Sequence, residues 1–244
     1  MSARIGPEDL DCPAPAKCPV AKELLVESAL SGVLPTHTVT VGTSWHRVYS
    51  SRFGHTEPNP GYGDARFSPF DAAASDSRVP TFYLAETPHA VLLETVLRDV
   101  GDWDVREVSE DQFYGQLHCE LVTTEAIRVV DLRDPQLKTL GIARSAIASS
   151  QQEHYPCTRA VAKAIHTSAL NLAGIVWNSR QAEMTGDPNA EAMVLFADRL
   201  IHGRDALTLS QKLTAAGAIG EGAGRVELDQ LLEELSIAVI SPLN

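Results

Sequence analysis

Aromatic side chains, cysteines and basic residues are all scarce in this 244-residue sequence. Phe, Trp and Tyr make up 6% of it, so the interior has to be filled mainly by Ala, Val, Leu and Ile. Four scattered cysteines do not make a disulfide framework. Cys12 and Cys18 form a C-x5-C pair, a spacing outside the common zinc patterns and without a nearby histidine, so no metal is expected. Twenty Lys and Arg stand against 32 Asp and Glu, a formal charge of −12. That surface repels phosphate backbones and excludes a broad, direct grip on nucleic acid. No run of 18 apolar residues is present, so no membrane span is read. The opening MSARIGPEDLDCP lacks the basic-then-apolar layout of a signal peptide, and a cytoplasmic protein is expected.

Common catalytic signatures are missing as well. There is no G-x-x-x-x-G-K-[ST], no H-E-x-x-H and no G-x-S-x-G. The stretch GAIGEGAG (217–224) has neither the full dinucleotide pattern nor a strand before it, and reads as a flexible linker.

What is present is a mixed succession of elements. Residues 19–31 read as a helix with Leu24, Leu25 and Ala29 on its apolar side. HTVTV (37–41) and WHRVYS (45–50) read as strands, being rich in β-branched and aromatic residues. Residues 53–80, with four prolines and three glycines, form a long loop of the kind that often carries function. TFYLAE (81–86) is a strand; Thr87-Pro88 then supplies a cap and first turn for a helix running to about residue 100. Residues 114–132 read as a strand pair, and DPQLKTLG as a short helix closed by Gly141. CTRAVAKAIHTSALNL (157–172) is an amphipathic helix, with Val161, Ile165 and Leu172 on one side. GIVWNS and AMVLFAD are apolar strands; a helix near 226–235 and the strand IAVIS end the chain. Without a regular βαβα alternation, the expected class is α+β.

The most informative side chain is Glu94. Residues 90–97 are apolar apart from Glu94 and Thr95, so the carboxylate is expected to lose solvation and to need a partner. Two readings stay open: a core Glu paired with a core Arg, or a catalytic carboxylate. Arg66, in GDARFSP, is the natural counter-charge or else an exposed loop arginine, and Arg47 in WHRVY is a second candidate. Tyr83 precedes the Glu94 helix on a strand, where it serves either the core or a pocket mouth. Ser179 ends GIVWNS and by itself signals nothing.

These segments resemble, in order, those of the RES-domain family, the toxin half of RES–Xre toxin–antitoxin modules. WHRVY resembles the family's first strand, and GDARFSP its G-R-[FW] loop. FYLAETPHAVLLETV is close to its most recognisable segment; GIVWNSRQ and AMVLFADR resemble its serine strand and final core strand. The likeness spans residues 37–200, with residues 1–36 and 201–244 as extensions, the latter completing the same domain. Ala65 stands where the family usually has Gly, and the loop from Arg66 to Tyr83 is longer than in compact members.

The resemblance implies an ADP-ribosyltransferase-like mixed β core with flanking helices, and NAD⁺ as substrate with no further cofactor. It implies that Glu94 and Arg66 are catalytic, with Tyr83, Ser179 and Arg47 binding substrate. The expected reaction is cleavage of the nicotinamide–ribose bond by water or phosphate. The alternatives are ADP-ribosylation of a protein, or an inactive NAD⁺- or antitoxin-binding module. The expected partner is an Xre-type helix-turn-helix antitoxin, and family members often form homodimers.

Overall fold

The computed structural model describes residues 12, 16, 20, 22–73, 77–100, 106–148, 150, 152–179, 185–214 and 216–241. Cys12 packs against the main core, whereas Cys18 lies outside the described residues. Five α-helices are described: α1 (Lys22–Leu30), α2 (Pro88–Leu93), α3 (Asp134–Thr139), α4 (Tyr155–Thr167) and α5 (Gly222–Glu234). The strands are β1 (Thr36–Val39), β2 (Ser44–Ser50), β3 (Thr81–Ala85), β4 (Glu107–Ser109), β5 (Gln116–Thr123), β6 (Ile127–Leu132), β7 (Gly174–Asn178), β8 (Glu191–Phe196), β9 (Leu207–Leu209), β10 (Ala216–Ala218) and β11 (Ala238–Ile240).

One sheet runs in the order β1-β6-β7-β8-β3-β2-β5-β10, with β9 also paired to β5. All its pairings are antiparallel except β6 with β7, where α3 and α4 form the crossover. Between β2 and β3 the ladder narrows to one register pair, His46 with Ala85. The sheet separates two buried clusters. On one face Leu25 and Ala29 of α1 meet Val161 and Ile165 of α4 over Ile175, Trp177 and Val194. On the other, Trp45 and Tyr49 pack with Phe82, Leu121, Met193 and Leu195. Each fully buried aliphatic side chain here contributes about 1.5–3 kcal/mol of transfer free energy. Gly174 lets β7 close on β8, since a methyl group there would collide with the Val194 carbonyl.

Several sequence expectations need correction. The helix from Pro88 starts as expected, with Thr87 Oγ1 accepting the Ala90 N–H at 3.1 Å, but it ends at Leu93. Beyond it the Thr95 hydroxyl donates to the Val91 carbonyl at 2.6 Å, and Leu97 N–H reaches back to Leu92 O, so the regular ladder stops. The strands of 114–132 are not a pair: β5 joins β2, and β6 joins β1 and β7. GAIGEGAG is no linker. Its first residues lie in β10, and from Gly222 it is the start of α5. Leu24 is solvent-exposed rather than on the buried side of α1, which Leu25 and Ala29 supply.

Beside the narrow β2–β3 joint, His46 Nδ1 and His118 Nε2 lie 3.0 Å apart with stacked rings. Burial depresses both histidines, His118 to about 4, with His46 adding to the effect and Glu227 and Glu120 opposing it. The fold therefore favours neutral rings, whereas the unfolded chain takes up protons near pH 6.5. Stability is expected to be full above that pH and to fall as pH drops from about 6.5 toward 4. Urea midpoints measured across this window should decline in the parent protein and decline less in His118→Gln; parallel profiles would refute the assignment.

Candidate active site

The break in α2 makes Glu94 the residue that caps the helix, with its backbone N–H on Ala90 O. Its side chain projects toward the end of β7. There Ser179, fully buried, donates its hydroxyl to Glu94 Oε1 at 2.6 Å. Ser179 is held by its own N–H to Ala190 O at 2.8 Å and by Arg144 Nη2, which donates to Ser179 O at 2.9 Å. A hydroxyl bonded to one carboxylate oxygen fixes the plane of the group and leaves the other oxygen for a second contact. Residues 85 positions apart in sequence thus form one unit.

Arg66 does not form the expected ion pair with Glu94. Its Nη1 donates to Ile147 O at 3.1 Å and to Ser150 O and Oγ, both at 2.8 Å. The guanidinium also lies over the Tyr155 ring, 5.4 Å from its centroid. Thr158 donates to the Arg66 carbonyl, which fixes the backbone beneath the side chain. Drawn to these acceptors, Arg66 ties the long loop to the segment before α4 instead of neutralising Glu94. Arg66 Nε remains a buried donor without a hydrogen-bond partner, as does Trp177 Nε1.

Tyr83 lies on the Arg66 side of the site. Its hydroxyl accepts the Phe67 N–H at 2.9 Å and also bonds Ser68, and its ring meets Trp177 edge-on at 6.3 Å. Burial pushes the phenol well above its usual range, so the hydroxyl stays protonated. Arg47 lies elsewhere. It occupies the opposite face of the sheet, over the Tyr49 and Phe82 rings, and donates to His55 O at 2.6 Å and Glu57 O at 2.7 Å. Burial lowers its guanidinium to about 10. Arg47 thereby pins residues 54–57, the entry to the long loop, and does not join Glu94.

Sequence reasoning missed Tyr155. It is buried, and that burial raises its phenol, while Arg66 and Arg98 pull it down and Glu94 pushes it up. The phenol therefore stands in the field of both the arginine and the carboxylate. A tyrosine before Pro156 at a helix start gave no signal of this. Arg98, four residues after Glu94, also belongs to the rim and donates to Asp64 O at 2.6 Å. That spacing was readable, but the break in α2 was not.

A family model for the RES domain matches residues 38–214. The chain belongs to the RES-domain family. The curled, mostly antiparallel sheet with flanking helices is consistent with the ADP-ribosyltransferase-like RES fold. Among curated proteins no sequence matches. Among solved structures, a chain in the crystal structure of the M. tuberculosis MbcT–MbcA toxin–antitoxin complex is similar, with a TM-score of 0.52 and 18% identity. The match covers 80% of this RES-domain chain and 91% of that one. Among the described residues, no helix is long and apolar enough to cross a membrane.

The Tyr83 contacts generate a stability test. Tyr83→Phe removes the acceptor of the Phe67 N–H and is expected to cost about 1–3 kcal/mol, the desolvation penalty of an unpaired buried group. Urea unfolding measures this directly; a change below the error of the fit would mean that water takes over the bond.

Proposed function

We propose that this RES-domain chain is a toxin that cleaves the nicotinamide–ribose bond of NAD⁺. The observation that carries the reading is the Glu94 carboxylate, oriented by the buried Ser179 hydroxyl at the end of the central sheet. In the reaction, the C1′–N bond breaks and its electron pair leaves with nicotinamide, which becomes neutral. Positive charge develops on the ribose, as in glycoside hydrolysis. The free oxygen of Glu94 would accept a ribose hydroxyl proton as a hydrogen bond and stabilise that charge. Water or phosphate then adds its oxygen to C1′; water loses a proton in doing so.

The other residues bind. Arg66 has Nη1 committed to Ile147 and Ser150 and its Nε shut inside, which leaves Nη2 of the fork for an anionic or acceptor-rich group such as the pyrophosphate. Tyr83 has its hydroxyl engaged, so its contribution to nicotinamide is the ring face. Arg47 supports the site from behind by holding residues 54–57.

The proposal includes an antitoxin of the Xre helix-turn-helix type. Its support is the fold similarity to a chain of a toxin–antitoxin complex, together with the net charge of −12, which complements a basic DNA-binding partner. An Xre-like reading frame beside this gene is the expected arrangement.

Purified protein should release nicotinamide from NAD⁺, tested with and without phosphate to identify the nucleophile. Glu94→Gln should lower the rate by roughly 10²–10³-fold, the usual cost of losing one preorganised electrostatic group. Release of no nicotinamide by the parent protein under either condition would overturn self-sufficient cleavage. NAD⁺ loss only with a labelled acceptor protein would identify an ADP-ribosyltransferase instead.

A further inference from the structure

Residues 219–237 stand outside the family match, which ends at residue 214. They nevertheless share a buried cluster with the chain on both sides of Glu94. Leu92, Leu93, Val96, Leu97 and Val100 pack in one group with Ile219, Leu228, Leu231, Leu232, Leu235 and Ile237. Val108 and Phe113 complete it.

The segment 94–100 has little shape of its own. After α2 its backbone bonds are irregular: Thr95 N–H to Leu92 O at 3.3 Å, Arg98 N–H to Thr95 O at 3.4 Å and Leu97 N–H to Leu92 O at 3.0 Å. A chain bonded in this way takes its position from what covers it. The covering side is firmly anchored. Ala238–Ile240 pairs in parallel with Glu107–Ser109, and Arg106 Nη1 donates to Leu235 O at 3.0 Å. Arg225 reaches Glu110 at 3.1 Å and lies over the Phe113 ring. At Gly224 the first turn of α5 is pressed so closely on β10 that a methyl group would collide with the Ala218 carbonyl.

We infer that the C-terminal segment, residues 219–237, is a strap that positions Glu94, with Leu231 as a positioning residue. This rests on the reading of Glu94 given under Proposed function. Removing strap side chains would let the 94–100 segment shift without disturbing the Ser179 strand, which belongs to the main sheet. Misplacing a reacting group by an ångström costs on the order of 100-fold in rate.

The test compares Leu231→Ala in the full chain with Leu121→Ala, a truncation in the cluster on the far face of the sheet. Ile237→Val serves as a milder strap variant in case Leu231→Ala does not fold. Hydrogen–deuterium exchange is read over residues 92–100, and kcat and KM for NAD⁺ below the unfolding transition. A strap gives faster exchange over 92–100 in the strap variants only, with kcat lowered at least tenfold and KM within twofold, and Leu231→Met restores the exchange and kcat. Equal exchange over 92–100 in strap and control variants would overturn the inference, and so would equal kcat values. A parent protein that leaves NAD⁺ intact would count against the cleavage reading alone, and the exchange comparison would still decide for or against the strap.

Discussion

A carboxylate placed among leucines has to be met by something, and much of the chain is arranged to meet this one. The apolar run around Glu94 ends as a helix where the Thr95 hydroxyl takes over the Val91 carbonyl. Without that break, Glu94 would continue along a helix face. With it, the side chain reaches the end of β7, where Ser179, its backbone held by Ala190 and Arg144, donates its hydroxyl to the carboxylate. Glu94 is half-buried rather than fully enclosed, so the Ser179 hydroxyl and the remaining solvent share its solvation. The site is thus a consequence of packing as much as of chemistry.

The three arginines of interest divide the labour. Arg66 fastens the long loop to the start of α4, and Arg47 fastens its entry from the other face of the sheet. Arg98 holds the same loop at Asp64. The loop is also held by backbone bridges at Asn59–Thr81 and Asp71–Arg78 and by the Tyr83 hydroxyl. Here guanidinium groups bonded to backbone carbonyls serve as its internal frame, which suits a planar, always-charged donor with several N–H groups.

The sequence made strands such as WHRVYS, TFYLA and GIVWN easy to read, since β-branched and aromatic residues fit a half-buried pleat. Thr87-Pro88 marked the start of α2, and Glu94 stood out because it interrupts an apolar run. The remainder depends on distant contacts. Nothing near Arg66 indicates that its acceptors lie in residues 147–150, and no local pattern shows that β5 joins β2 rather than β6. The glycines of 217–224 looked like a linker because local sequence cannot distinguish a flexible glycine from one chosen for close approach. At Gly224 the neighbouring Ala218 carbonyl decides between them.

The cluster beneath Glu94 also sets an order of events during synthesis. Leu92, Leu93, Val96 and Leu97 leave the ribosome well before Leu228, Leu231 and Ile237, their buried companions. At roughly 5–20 residues per second the interval is on the order of ten seconds. Throughout it, the apolar side of the Glu94 segment has no cover from the C-terminal residues. A chain released early by a premature stop would keep its family-defining residues and lack that cover. On the reading of Glu94 proposed above, completion of α5 coincides with completion of the site.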